Sequence, residues 1–358
     1  LPSWLGASFE PLYRAVIERR NRRYDSGRGV VEFDRPCISV GNLSVGGTGK
    51  TPMVATVVGW LRGAGHAPVI AMRGYRSRGG ESDEAREHRA RFPDVPIVAR
   101  PDRAQALIEL FDRTDEEGRR LDCIVLDDGF QHRRIARQLD IVLIDATRDP
   151  FADRLLPAGW LREPVSSLTR AHAVVVTHAE AVEAAVLKGL LDRLRGACSP
   201  ATAWAICRHV WAGFVRRGPD GTETRLGADA LRQEEVTALC AIGNPEAFLR
   251  MARRHCGRCD HALVLRDHAR FPARLVRRLA SGGGIVLTTE KDWSRLAPLW
   301  PDHASATVVR PVLTLAFDSG GDELRARVLA VARTSRSEDH FGSPTGHGLP
   351  AREGEEGE

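Results

Sequence analysis

Residues 44–52 read SVGGTGKTP, and the reading of these nine residues decides the fold. Gly46, Gly47 and Gly49 leave the backbone N–H groups around Thr48 free to close on phosphate oxygens. Lys50 offers a point charge to the terminal phosphates, and Thr51 offers a hydroxyl to a magnesium ion. The general pattern G-x-x-x-x-G-K-[ST] would place its opening glycine at position 44, where this chain has Ser44. The flanks suit a phosphate loop all the same. Residues 36–40 (PCISV) form a short apolar run expected as a buried strand, and residues 52–61 are expected as a helix. Pro52 is tolerated there because a first-turn residue has no intrahelical partner for its missing N–H.

Working outward, apolar runs at 69–72, 122–126, 140–144 and 173–176 are expected as further strands, with helical stretches such as 102–111 between several of them. Continuous apolar strands alternating with helices indicate a parallel sheet covered on both faces. Residues 201–226 alternate instead, and turn at Gly218-Pro219-Asp220-Gly221, so a hairpin is expected there. A second α/β unit follows, with strands at 236–241, 262–265 and 284–287 and helices at 245–255 and 272–279. A last helix is expected near 322–332, and the Gly/Ser/Glu-rich residues 334–358 have the composition of a disordered tail. The expected fold is α/β: a P-loop NTPase-like parallel-sheet domain over 25–203, a hairpin linker over 204–226, and a smaller α/β domain over 227–333. The last helix is free to pack back on the first domain.

Residues 1–24 stand apart. Trp4, Leu5, Phe9, Leu12, Tyr13, Val16 and Ile17 recur at helical spacing, and Arg14, Arg19, Arg20, Arg22 and Arg23 accompany them. Such a helix can pack on its own domain, or it can lie in a bilayer interface with its aromatics in the acyl boundary and its cations at anionic headgroups. No apolar run approaches the ~20 residues of a spanning helix, and no signal peptide is read. The net charge of +5 comes largely from arginines spread along all 358 residues, so charge does not argue for nucleic acid. Seven cysteines, an odd number in a chain of this size, point to reduced thiols and a cytosolic compartment.

Downstream, residues 126–132 read LDDGFQH. Asp127 and Asp128 fall at the carboxyl end of a buried strand, where sheets of this kind hold Mg²⁺. Adjacent residues there point in different directions, so both need not be metal ligands.

Together these stretches resemble the tetraacyldisaccharide 4'-kinase (lipid A 4'-kinase) family. The resemblance rests on SVGNL at 39–43, GGTGKTP at 46–52, RGY at 73–75, LDDGFQHRR at 126–134 and LLPAGWLREP at 155–164. It continues through IGNP at 242–245, RDH at 266–268 and TTEKD at 288–292, and covers roughly residues 1–333. Family members similarly lack the first glycine of the general loop pattern.

The resemblance implies an ATP-dependent lipid kinase with ATP and Mg²⁺ as cofactors. It would phosphorylate the 4'-hydroxyl of an acylated glucosamine disaccharide 1-phosphate, as a peripheral, monomeric protein of the cytoplasmic face of the inner membrane. It places Arg73, Arg103 and Arg162 near the phosphates and makes Glu163 an active-site acid. A base formed by Asp83 and His268 is also implied, although SDEA at 82–85 replaces the family's GDEP. Asp83 could instead cap a helix. An Asp orienting a His can raise its basicity toward the acceptor hydroxyl.

Two other classes stay open at this level. One is a P-loop GTPase acting in metal insertion, kept alive by His255, Cys256, Cys259 and His261 within one short segment. Closed zinc sites usually draw their ligands from two separated segments, and no N-K-x-D guanine signature is present. The other is a kinase of a soluble sugar, which would not need the Trp/Phe/Arg-rich start.

Overall fold

The computed structural model describes residues 3–74, 82–118, 120–267 and 269–337. Helix α1 (Ser3–Asp25) opens the chain. Strand β1 (Cys37–Asn42), buried at all six positions, leads through the glycine loop into α2 (Lys50–Gly63). There follow β2 (Pro68–Met72), α3 (Asp83–Arg91), β3 (Ile97–Ala99), α4 (Arg103–Glu116), β4 (Cys123–Asp127), β5 (Leu139–Asp145), β6 (Ala173–Thr177) and α5 (Ala184–Ala197). Next come β7 (Ala203–Arg217), β8 (Glu223–Gly227), β9 (Glu235–Cys240), α6 (Pro245–His255), β10 (Arg258–Val264), α7 (Ala273–Ser281) and β11 (Ile285–Thr288). Helix α8 (Glu290–Leu296), β12 (Thr307–Ser319) and α9 (Gly321–Ser337) complete the order.

Among the described residues, twelve strands form one mixed, mostly parallel sheet, ordered β10-β9-β11-β12-β7-β6-β5-β1-β4-β2-β3, with β8 paired to β7. From β3 to β7 every pairing is parallel, and so is every pairing from β10 to β12. The two parallel halves meet where β12 runs antiparallel to β7. The hairpin expected near 201–226 is β7 with β8, but β7 is far more than a connection: one end pairs with β6 and most of its length with β12. The two α/β units therefore share one sheet.

Apolar layers cover both faces of the first half. On one side α2 and α9 pack together, with Met53, Val57 and Leu61 against Val328 and Ala332. The last helix thus returns to the half of the chain that holds the glycine loop. The second half has cores of its own, built around Phe214, Phe248 and Leu287 on one face and Val276, Trp293 and Leu296 on the other.

Strand β1 lies between β4 and β5, so the chain departs to opposite sides of it, and the loop after it sits at the carboxyl edge of the sheet. This is the switch point at which open α/β sheets bind ligands. A cleft of about 2110 Å³ opens there, with the glycine loop and the ends of β4 and β5 on one wall and α6, α8 and β12 on the other.

Candidate active site

Gly49 immediately precedes α2 with φ +86°, and Gly46 has φ +119°, values that residues with side chains rarely adopt. These two glycines give the loop its curl. Ser44 needs no such freedom. Its backbone φ is negative, and it forms an antiparallel bridge with Leu161, flanked by Val45 N–H donating to the Trp160 carbonyl (2.8 Å) and Arg162 N–H to that of Leu43 (2.7 Å). Extended backbone in a bridge is open to any residue, which removes the physical reason for a glycine at 44.

The same bridge carries Arg162 to the loop. Its guanidinium grips both carboxylate oxygens of Asp128 at 2.6 and 2.7 Å and also donates to Asn42 Oδ1. Lys50 Nζ lies 3.3 Å from Asn42 Oδ1 and 3.7 Å from Asp128. Arg103, buried at the start of α4, donates to the Asp128 carbonyl at 3.2 Å. Burial alone would raise the Asp128 carboxyl. The Arg162 fork, with Lys50 and Arg103, outweighs it and holds the group down at about 2.

The two adjacent carboxylates do separate. Asp127 ends β4 in extended backbone, while Asp128 turns out of the strand with φ +55°, a conformation Asp adopts more readily than bulkier residues. Asp127 accepts from His88 Nε2 at Oδ2 (2.9 Å), with both residues almost fully buried. Its Oδ1 has no partner among the described residues, and Asp127 lines the cleft. A hydroxyl on Thr51 and a carboxylate oxygen on Asp127 make a hard-oxygen pair of the type Mg²⁺ takes together with phosphate oxygens. Asp128 is instead occupied with cations.

Other expected site residues are placed as follows. Gly46, Gly47, Thr48, Gly49, Lys50, Thr51, Arg73 and Arg162 all line the cleft. Arg103 touches the site from beneath. Glu163 faces away from the cleft: fully buried, it accepts from Arg20 (3.1 Å), Asn21 (3.1 Å) and Arg170 (3.0 Å), binding α1 to the segment that follows the Leu161 bridge. Ser82, not Asp83, caps α3, its side chain accepting from Ala85 N–H. Asp83 is the first residue of that helix, and its neighbours Ser82 and Glu84 line the cleft. His268 lies outside the described residues, and its neighbour Asp267 lines the cleft from the opposite wall.

Several participants carry no local signal. Asn42 spans from Thr48 Oγ1 (2.8 Å) to Lys50 and Arg162, and Gln131 donates to its carbonyl at 2.8 Å. His88 is in the same class, because nothing in its own stretch points to a partner 39 residues away. Behind Gly49, His209 of β7 stacks on His178, which pairs with Asp145 at the end of β5.

Two conspicuous motifs have structural parts, although Thr289, Glu290 and Lys291 of the first also line the cleft. In 288–292, Thr289 caps α8 by accepting from Asp292 N–H, and the fully buried Asp292 in turn binds the Thr289 hydroxyl and Ala241 N–H. In 255–261, His255 packs on Trp211 and Phe214, and Cys256 and Cys259 are buried in the same core. No cluster of three or more metal-ligating side chains occurs among the described residues.

A family model described as tetraacyldisaccharide-1-P 4'-kinase matches residues 2–332. The tetraacyldisaccharide 4'-kinase of Anaeromyxobacter dehalogenans strain 2CP-C is 36% identical, over 81% of this chain and 80% of that protein. Its counterpart from Geobacter sulfurreducens is 34% identical, over 87% of this chain and 91% of that protein. The crystal structure of the "apo" form of LpxK from Aquifex aeolicus in complex with ATP is similar with a TM-score of 0.68 and 26% identity, over 91% of this chain and 98% of that one. A match this long, running through the glycine loop, the paired aspartates and the Leu161 bridge alike, means that the chain belongs to the tetraacyldisaccharide-1-P 4'-kinase family.

Proposed function

We propose that the cleft transfers the γ-phosphoryl group of ATP to the 4'-hydroxyl of a tetraacyldisaccharide 1-phosphate, a step of lipid A synthesis. The single observation that carries the reading is the convergence of Lys50, Arg162, Asp127 and Asp128 on a curled glycine loop, in a chain that matches this kinase family along nearly its whole length. Phosphoryl transfer asks mainly for positioning and for positive charge around the γ-phosphate. The backbone N–H groups of 46–50 cradle the phosphates at the start of α2, where the helix dipole favours anions. Lys50 and Arg162 are held within reach by Asp128 and Asn42, so little ordering remains to be done when the nucleotide binds. Arg73 adds a further cation at the cleft wall, and Arg103 braces Asp128.

Thr51 and Asp127 would hold Mg²⁺, which supplies charge neutralisation on the phosphate oxygens. His268 would accept the proton of the 4'-hydroxyl, with Asp83 orienting it. The hydroxyl oxygen then bonds to the γ-phosphorus as the bond to the ADP oxygen breaks. Ser82 and Glu84, the neighbours of Asp83, line the cleft, as does Asp267, the neighbour of His268, and this supports a base delivered across the cleft. For the lipid, α1 presents Phe9, Leu12 and Val16 to solvent, 52%, 64% and 57% exposed, which suits docking on a bilayer surface. No described helix is long and apolar enough to cross a membrane.

The test is incubation with Mg-ATP and tetraacyldisaccharide 1-phosphate in detergent micelles, with Lys50→Ala, Asp83→Ala and His268→Ala in parallel. A bis-phosphorylated lipid is expected from the wild type, none from Lys50→Ala, and a rate lowered about 10²- to 10⁴-fold in the other two. ATP binding without any lipid product would sink the lipid-kinase reading. Full activity in Asp83→Ala or His268→Ala would sink the base assignment alone.

A further inference from the structure

His88 is buried to 1% exposure in the middle of α3, on a helix whose other residues are mostly charged. A buried imidazole has to find a polar partner. The one found is Asp127 Oδ2, at 2.9 Å. A carboxylate oxygen accepts, so the tautomer that makes this bond is the one with the hydrogen on Nε2 of His88. That single bond fixes the carboxylate's rotation about its Cβ–Cγ axis. Oδ2 is taken up by His88, Oδ1 has no partner among the described residues, and Asp127 lines the cleft.

The helix that carries His88 is itself tied to the far wall of the cleft. Ser82 caps the helix at its start. Arg86 donates to the Ser294 carbonyl of α8 at 3.2 Å, and Arg91 to the Leu313 carbonyl of β12 at 3.0 Å. Helix α3 therefore spans the gap between the two halves of the sheet, and His88 points from it into the end of β4.

We infer that His88 is a positioning residue for the phosphoryl-transfer centre, holding Asp127 so that one carboxylate oxygen is presented to the Mg²⁺ that accompanies ATP. The inference rests on the Mg-ATP part of the reading above and not on the lipid part. Partners that orient a ligating carboxylate typically account for about 10- to 100-fold in metal affinity or activity.

The experiment uses the full chain and a fluorescent ATP analogue, titrated with Mg²⁺ and separately in EDTA, and does not need the lipid. In His88→Leu, which fills the space without a donor, the Mg²⁺ concentration for half-maximal tightening of nucleotide binding is expected to rise about 10- to 100-fold. Affinity for the nucleotide in EDTA is expected to stay within about twofold. His88→Gln, whose amide N–H can stand in for Nε2–H, is expected to recover the wild-type midpoint to within about threefold. A pair that serves only the core would lower the melting temperature of His88→Leu and leave the Mg²⁺ midpoint where it was, and that result overturns the inference. A folded His88→Gln as impaired as His88→Leu overturns it too. Should His88→Leu not fold, His88→Asn, with an amide too short to reach Asp127, is read by the same criteria. Wild-type binding indifferent to Mg²⁺ would overturn both this inference and the Mg-ATP reading beneath it.

Discussion

At Gly49 a side chain would meet His209: a Cβ built there lies 2.8 Å from the imidazole Nε2. His209 stacks in turn on His178, ring centroids 4.1 Å apart, and has its basicity driven down to about 3 by burial, with His178 adding repulsion and Asp145 opposing it. The folded protein therefore keeps His209 neutral, while the unfolded chain binds its proton below about pH 6.5. Between about pH 6.5 and 3 the unfolded state holds more protons, so stability falls as the pH is lowered through that window and is unaffected by this group above it. His209→Gln is expected to flatten the dependence of melting temperature on pH between 6.5 and 4, measured by thermal denaturation. An unchanged slope would show that His209 is not neutral in the fold. His132, pushed to about 4 by burial and by Arg103, Arg137 and Arg134, contributes in the same direction and leaves a residual slope. The loop glycines and Lys50 can be read locally because their task is set by their own backbone and charge. His209 cannot, because its covering comes from Gly49 and from the His178 ring, which distant segments bring to it.

Among the elements, α1 combines an exposed apolar face with side-chain ties to the rest of the protein. Glu163 anchors it through Arg20 and Asn21, Tyr13 OH donates to the Arg162 carbonyl at 3.1 Å, and Glu10 binds Arg154. Its remaining face shows Phe9, Leu12 and Val16. Each such side chain is worth roughly 1.5–3 kcal/mol when transferred from water to an apolar phase. Leu12→Asp is accordingly expected to weaken binding to anionic vesicles at least about tenfold in a flotation assay, with the melting temperature unchanged, since Leu12 is already in solvent. Equal flotation would mean that α1 does not enter the bilayer. Periodicity is enough to place α1, and Asn244-Pro245 marks the start of α6, which runs over the expected 245–255. Strand β12 is not legible in the same way. Pro311 in its middle argues against a long strand, yet it pairs with Phe214, and the ladder with β7 shifts register just beyond it, between Val312 and Leu313.

Across the whole molecule, the β7–β12 ribbon is the feature on which the cleft depends. It joins two parallel half-sheets edge to edge, keeps α6 and α8 facing the glycine loop, and buries its own Trp211, Phe214 and Leu315 in the cores on its faces. A connection built in this way is a girder, not a loose tether. Amide hydrogen exchange in β7 and β12 is expected to be as slow as in β1 and β5, with and without ATP. Fast exchange confined to 208–214 would instead identify the ribbon as a hinge around which the cleft closes. The sequence by itself determined the parallel α/β units, the phosphate loop with its lysine, the acidic strand end and the amphipathic first helix, because each is a matter of short-range periodicity, backbone freedom and charge. Only the tertiary structure decided that the two units share one sheet, that Asp128 holds the cations while Asp127 is held by His88, and that Glu163 turns to α1. Those outcomes depend on which side chains distant strands and helices bring within about 3 Å of one another, a length at which hydrogen bonds form and on which local sequence is silent.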